Sequence, residues 1–383
     1  MQLTALTTVI GAAIALPLTM ARLRLTRRTN KTAEDALFND KINEATKGLY
    51  ARRQVSKPNA NGTYQDLWED DIVQRNAAID RLEGLAKEDP KEVSRIARLL
   101  SVYVRELSKE FPPKIRDDEQ TDNPKVNWAR NLSPVRADME KSVQTLGRLS
   151  RISDTPLRDG EFDLRGCNLQ AFDLTGAQLE HCLLSGSSLQ GAKLVEAQLH
   201  GSDLSFAQLE AAYLVDADLS EANLFMADLR VAALNDANLQ NSHCFRTGFD
   251  GTNLSGALFQ HSSLQGASFH GAIVKETWFQ GAKMDSIKLY DMFLRHPSQV
   301  FDRSNQISGA ALRNIDMTKQ QISELPTDLV FGDASVVLPS GVCPGDDGWP
   351  PHWPDQKLKG DAFERQWRAW QETLPVGWQQ GNA

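Results

Sequence analysis

The side chains here that could bind a metal or attack a substrate are few and scattered. Among them are the cysteines Cys167, Cys182, Cys244 and Cys343 and the histidines His181, His200, His243, His261 and His270. Metal sites need such residues at short, regular spacing, and the chain has neither a CxxC pair nor a Cys/His cluster of that kind. No glycine-rich phosphate loop follows a strand, and the many paired carboxylates cannot be placed in a pocket. No catalytic constellation emerges. The chain is therefore read as a non-enzyme with no catalytic, cofactor-binding or metal residues.

The same histidines and three of the cysteines fall inside a strict repeat. From Leu164 to Met284 every fifth residue is apolar, twenty-five times without a slip. The residue two places earlier is small in twenty-three cases, with Phe162 and Phe172 as the exceptions. Asp or Asn often stands between the two, as in Ala217-Asp218-Leu219 and Ala222-Asn223-Leu224. A period of five suits neither a helix nor an alternating strand; it suits a solenoid in which each repeat forms one side of a coil. The large residue fills the axis, the small one lets the next side approach, and the remaining three face water. Cys167, Cys182 and Cys244 then point inward and are read as reduced and buried, while the five histidines point outward. Gly166, Gly176 and Gly186 share one corner position, as a turn requires.

These residues resemble the pentapeptide-repeat family, with its A(D/N)LXX consensus. The resemblance implies a mainly β fold, a right-handed quadrilateral β-helix with twenty residues per coil. The flanks, including Phe331-Gly332-Asp333-Ala334-Ser335 and His352-Trp353-Pro354, resemble membrane-anchored bacterial members with an N-terminal helical domain.

With twenty residues per coil, stacked positions can be read off. One outward column is Glu196, Asp216, Asp236, Gly256, Glu276, an acidic ladder of like charges at close spacing. It is either a solvated face that blocks association or a phosphate mimic, since some members of the family are DNA-shaped modulators of DNA gyrase. A second face stacks Phe206 over Met226, and Phe225 over Phe245 beside it. Such apolar patches seldom stay bare. Either the N-terminal helices lie on this one, which is the preferred reading, or it is a partner or homodimer site.

The net charge of −8 is uneven: residues 1–161 carry 27 basic and 24 acidic residues, and residues 162–286 carry 6 and 14. Leu3 to Met20 is uncharged and is followed by Arg22, Arg24, Arg27, Arg28 and Lys31. That pattern predicts a single-pass anchor in the inner membrane, with the bulk of the chain in the cytoplasm. A cleaved signal peptide around Ala13-Ile14-Ala15 is the alternative. Ala33 to Arg53 reads as a juxtamembrane helix with an apolar stripe of Ala36, Leu37, Ile42, Ala45 and Leu49.

A helical hairpin follows. Its first helix carries Trp68, Ile72, Ile79, Leu82 and Ala86 on one face, and Asp89, Pro90 and Glu92 start the second as a capping box. After a polar linker, a helix from Ser133 carrying Val135, Met139, Val143 and Leu146 is expected to cap the first open coil. Beyond Met284 the register breaks. Tyr290, Met292, Phe293 and Leu294 could plug the last coil, Asp316 to Leu325 reads as a short helix, and the tail is rich in Trp and Pro. Phe363, Trp367 and Trp370 share a helical face, expected to pack on the rod.

The organisation read from the sequence is thus an anchor over 1–25, a juxtamembrane helix and hairpin over 26–111, and a linker and capping helix over 112–160. The β-helix spans 161–286 and the C-terminal cap and tail 287–383. The expected function is a membrane-anchored, non-catalytic scaffold for an unidentified protein partner, with no direct nucleic-acid binding. The alternative is a DNA-mimicking modulator of gyrase.

Overall fold

The computed structural model describes residues 2–59, 61, 63–116, 125–152, 162–285, 308–314, 327–338 and 341–374. Outside the description are the side chains of residues 2–19, 21, 125–127, 285 and 360. The chain divides into two units, Met1–Glu88 and Asp89–Ala383.

The first unit consists of α1 (Gln2–Gly48), β1 (Arg52–Pro58), β2 (Tyr64–Asp70) and α2 (Ile72–Glu88). The juxtamembrane helix expected from Ala33 is the end of one continuous helix reaching back to Gln2. In its last turns Ile42, Ala45 and Leu49 are buried as α1 packs on α2, whereas Leu37 of the expected stripe is 61% exposed. Trp68 is not helical. It lies on β2 opposite Gln54, because residues 52–58 and 64–70 pair as an antiparallel hairpin with Arg53 facing Glu69 and Arg52 facing Asp70. Opposite charges across the strands and β-prone Val55, Tyr64 and Trp68 outweigh the helical spacing there. Helix α2 therefore begins at Ile72, with Ile79, Leu82 and Ala86 in its buried seam.

No helix among the described residues is long and apolar enough to cross a membrane. The Leu3–Met20 run, with its signal-peptide alternative, lies within α1, and all its side chains except Met20 are outside the described residues.

The second unit opens with a single 3₁₀ turn, Pro90–Glu92, capped by Asp89, whose carboxylate accepts the N–H of Lys91. Glu92 does not complete a capping box; it turns to Arg95 at 3.4 Å. Helices α3 (Val93–Glu110), α4 (Lys125–Arg130) and α5 (Ala137–Leu149) follow. The stretch expected to be pure linker thus contains a helix, and the capping helix starts at Ala137 with Arg136, not Ser133, at its N-cap. Met139, Val143 and Leu146 are buried against α3, while Val135 precedes the helix and is 37% exposed. The buried Asp138 explains the shifted start: it takes the Arg136 guanidinium at 2.6 Å and the Tyr103 hydroxyl at 2.6 Å.

The rod is a parallel β-solenoid. Bridges join residues twenty apart in unbroken series, from Asp163 with Leu183 to Ser263 with Lys283. Each large inward position from Leu164 to Leu264 donates its N–H to the next coil, as Leu164 does to Leu183 O at 2.8 Å, and Leu183 N–H returns to Phe162 O at 2.9 Å. The inward leucines are buried, and burying one contributes about 2 kcal/mol. Phe249 stacks on Phe269, and Phe259 on Phe279, in the last coils, with centroids 5.0 and 5.3 Å apart.

The repeat's other positions have local causes. The Asp or Asn before the inward residue accepts an N–H two residues on, as Asp218 does from Ser220 and Asn223 from Phe225, at 3.0 and 3.2 Å. Inward threonines such as Thr247 donate to the preceding coil's carbonyl, here Leu224 O at 2.7 Å. Each corner closes with an N–H bond from three residues ahead, as Cys167 N–H to Leu164 O, and its third residue has positive φ, the type II turn pattern.

After Lys283 the ladder does not end. Strand β3 (Lys283–Asp285) pairs in parallel with β4 (Ala311–Arg313), twenty-eight residues on, and Ala311 bridges Phe331 a further twenty on. The break at 286 is therefore an excursion from a rod that resumes. The expected plug (Tyr290 to Leu294) and short helix (Asp316 to Leu325) lie outside the described residues, as does Trp378.

Both ends of the rod are closed. At the first coil, Ser108 Oγ of α3 accepts Asn168 N–H at 3.1 Å and the Glu140 carboxylate of α5 accepts Asp173 N–H at 2.6 Å, standing in for a missing coil. At the far end α6 (Gly360–Gln371) buries Phe363 and Trp367 against Phe331, Ala311 and Leu358.

Candidate functional site

All twenty-four corner residues from Gly166 to Gly281 have φ between +54° and +74°, and fourteen of them are not glycine. That backbone region costs an L residue about 1 kcal/mol or more. Such a rod tolerates side chains at its corners only against this cost, so a bulky exposed corner residue is informative.

Phe206 and Met226 are two such residues, with φ of +58° and +54°. They occupy successive coils of one corner and are 52% and 44% exposed. Phe225 precedes Met226, lies edge-on to Phe206 at 5.2 Å and stacks on Phe245 at 5.6 Å and 6°. Phe245 is 37% exposed. Three of the four expected patch residues, Phe206, Phe225 and Phe245, thus meet in one aromatic cluster, and Met226 stands at the same corner. Of the helices expected to cover it, α3 and α5 do not: they are committed to the first coil, where Ser108 and Glu140 accept its N–H groups. Sequence reading missed one member of this surface, Arg246, whose guanidinium lies 5.3 Å from the centre of the Phe245 ring. Its place after Phe245, in the column of Phe206 and Met226, was the available signal.

Ten residues make half a coil, so the corner of Glu196, Asp216, Asp236 and Glu276 is diagonally opposite this cluster. All four are exposed left-handed corner residues. Glu276 pairs with Lys275 at 3.3 Å. No group of three or more His, Cys, Asp or Glu among the described residues is placed to hold a metal.

A third side is occupied by the chain itself. Ala129 of α4 lies against Gly191, where a Cβ would collide with the Ala129 carbonyl oxygen, and Arg130 reaches over the Tyr213 ring at 5.9 Å. The inward thiols are shielded. Burial pushes Cys167 and Cys244 up to about 12 and raises Cys182 as well, whereas Cys343 is exposed. His181 and His200 meet edge to face at 5.4 Å, and burial lowers the pKa of His261. His243 and His270 stand on other sides of the rod, so the histidines do not converge.

Residues 163–201, 202–241 and 249–285 match the family model described as pentapeptide repeats, in eight copies. This chain is a pentapeptide-repeat protein. Similar solved structures are also pentapeptide-repeat proteins. One is HetL from the cyanobacterium Nostoc sp. strain PCC 7120, involved in heterocyst differentiation regulation. It is 24% identical over 45% of this chain and 73% of HetL, with a TM-score of 0.30. Another is Rfr23 from the cyanobacterium Cyanothece 51142, 28% identical over 34% of this chain and 92% of its own, with a TM-score of 0.15. Full-length QnrB1, a plasmid-mediated fluoroquinolone resistance protein, is 14% identical over 51% and 91%, with a TM-score of 0.23. Comparison with curated protein sequences finds no match. What distinguishes one pentapeptide rod from another is its outward columns, and here these are the aromatic and acidic corners.

Proposed function

We infer that this pentapeptide-repeat protein is a non-catalytic scaffold, held at the inner membrane by its N-terminal apolar segment, whose rod docks a protein partner. The observation that carries the reading is the exposed cluster of Phe206, Phe225, Met226 and Phe245 on a rod whose two ends are already closed. Desolvating aromatic groups of this kind supplies most interface energy. The uncharged Leu3–Met20 run and the basic residues after it support the anchor, with the rod on the cytoplasmic side.

The test is site-specific photocrosslinking in intact cells. A photoreactive residue at position 206 is expected to form discrete protein adducts in the membrane fraction, and one at position 236 is not. Adducts at 236 alone, or at neither position, would overturn the docking surface. Recovery in the soluble fraction would overturn the anchor.

A second reading is favoured by the acidic corner, where Glu196, Asp216 and Asp236 stack on consecutive coils as phosphates do along DNA. A gyrase-directed mimic would inhibit supercoiling and lose that effect on Asp216→Lys with Asp236→Lys. The scaffold reading expects no inhibition by the unaltered chain.

A further inference from the structure

We propose that the occupant of the apolar corner is a second copy of this chain, laid antiparallel about a two-fold axis at the level of Met226. The proposal rests on reading that corner as a docking surface. Coil by coil, the corner column runs Gly186, Phe206, Met226, Arg246, Gly266, and the column before it runs Ser185, Ser205, Phe225, Phe245, Gln265. The side leading into it runs Asp203, Asn223, His243. The surface is thus apolar in the middle, with a cation at one end and a carboxylate at the other, two coils or roughly 10 Å apart.

The neighbouring charges are otherwise matched. Arg165 is held by Asp163 at 2.9 Å and Arg230 by Asp228 at 2.6 Å. Among the described residues no carboxylate pairs with Arg246, which rests on Phe245. Asp203 accepts the Ser205 N–H at 3.1 Å and the Asn223 amide at 3.0 Å, and Arg165, already bonded to Asp163, acts on it through space.

Turning a copy end over end about the Met226 level exchanges the level of Arg246 with that of Phe206 and Asp203. Each Arg246 then meets Phe206 and Asp203 of the second copy, twice by symmetry, while Met226 and Phe225 meet their own equivalents. Parallel stacking would set Arg246 on Arg246 and is disfavoured by like charge. The diagonal acidic corner repels a copy, so association is directed to one corner and closes as a dimer without growing into a filament. Phe206 and Met226 also hold left-handed corners where glycine would be unstrained, and removal of their side chains from water on pairing offsets that strain.

The experiment uses the full chain in mild detergent with Cys343→Ser, which leaves no exposed thiol among the described residues. Met226→Cys in this background is expected to form a covalent dimer on gentle oxidation, whereas Asp236→Cys is not. Arg246→Asp and Asp203→Arg are each expected to weaken self-association about tenfold in sedimentation, and the double exchange to restore it. Crosslinking at 236 in preference to 226, or a double exchange no tighter than either single reversal, would overturn the antiparallel pairing. A monomer that still forms photoadducts at 206 with another protein would overturn the dimer and leave the docking surface standing. Absence of both would overturn both.

Discussion

Trp367 donates its indole N–H to the carbonyl oxygen of Gly309 across 2.8 Å, and Gln371, one helical turn on, donates to the same oxygen at 2.7 Å. His352 and Trp353 do the same for Val330 O, each at 2.8 Å. These four side chains satisfy carbonyls that a further coil would otherwise take. The terminal edge, a ready template for strand addition, is thereby closed.

Trp367→Ala should therefore cost about 3–5 kcal/mol, from lost burial and an opened edge. Calorimetry should show the loss, and light scattering should show aggregation from the C-terminal end. Trp367→Phe, which keeps most of the packing, should cost clearly less. Equal stability of all three proteins would refute the cap.

Leu219→Asp places a charge on the fully buried axis of the rod. The expected loss is several kcal/mol, on the scale of total stability. Cooperative unfolding near the original temperature would contradict the inward register.

Val231 is a β-branched residue at φ +54°. Val231→Gly should be neutral or stabilising by up to ~1 kcal/mol, because relief of the corner offsets the added chain entropy. Gly191→Ala should destabilise, since its φ is +67° and the Ala129 carbonyl occupies the place of the new methyl. Thermal melts of the pair should move in these directions; the reverse order would discredit the corner argument.

Asp163 joins the first coil to α3. The hydrogen bond from Arg165 holds its carboxyl below the usual carboxylate range against the opposing effect of burial, with Arg105 adding to the pull. A lowered native pKa stabilises the fold above the unfolded value, about 3.9, and that contribution is lost as pH falls through the native pKa. The unaltered protein should lose stability below about pH 4 more steeply than Asp163→Asn, by on the order of 1 kcal/mol. Parallel pH profiles would count against this ion pair.

Thiol chemistry gives a direct readout of the interior. In the native chain only Cys343 should react quickly with an alkylating reagent, and Cys167, Cys182 and Cys244 should react on unfolding. Fast labelling of more than one site without denaturant would place a thiol outside the rod.

The rod was legible in the sequence because a five-residue period suits a solenoid and neither a helix nor an alternating strand, and its two corners followed once the family resemblance supplied twenty residues per coil. The N-terminal hairpin was not legible. Trp68, Ile72 and Ile79 keep helical spacing, and only pairing of residues 52–58 with 64–70, a non-local event, puts Trp68 on a strand. The resumption at Ala311 was hidden for a related reason: Ala310-Ala311-Leu312-Arg313-Asn314 is one good repeat, but it stands alone in sequence and gains its neighbours only through the excursion. The open state of the Phe206 cluster depended on where α3 and α5 go, which Asp138, Ser108 and Glu140 decide through contacts far along the chain.

The twenty-residue ladder imposes a phase on the chain. Inserting or deleting five residues inside the rod would turn everything downstream by a quarter revolution, so one part of the aromatic corner would no longer lie above the other. Whole coils can be gained or lost with every column still aligned. The excursion between Lys283 and Ala311 is eight residues longer than a coil (twenty-eight against twenty), yet Ala311 sits squarely on Lys283. Because Ala311 returns in phase with Lys283, the cap beyond it keeps its rotation relative to the faces below, although the chain between the two is longer than a coil.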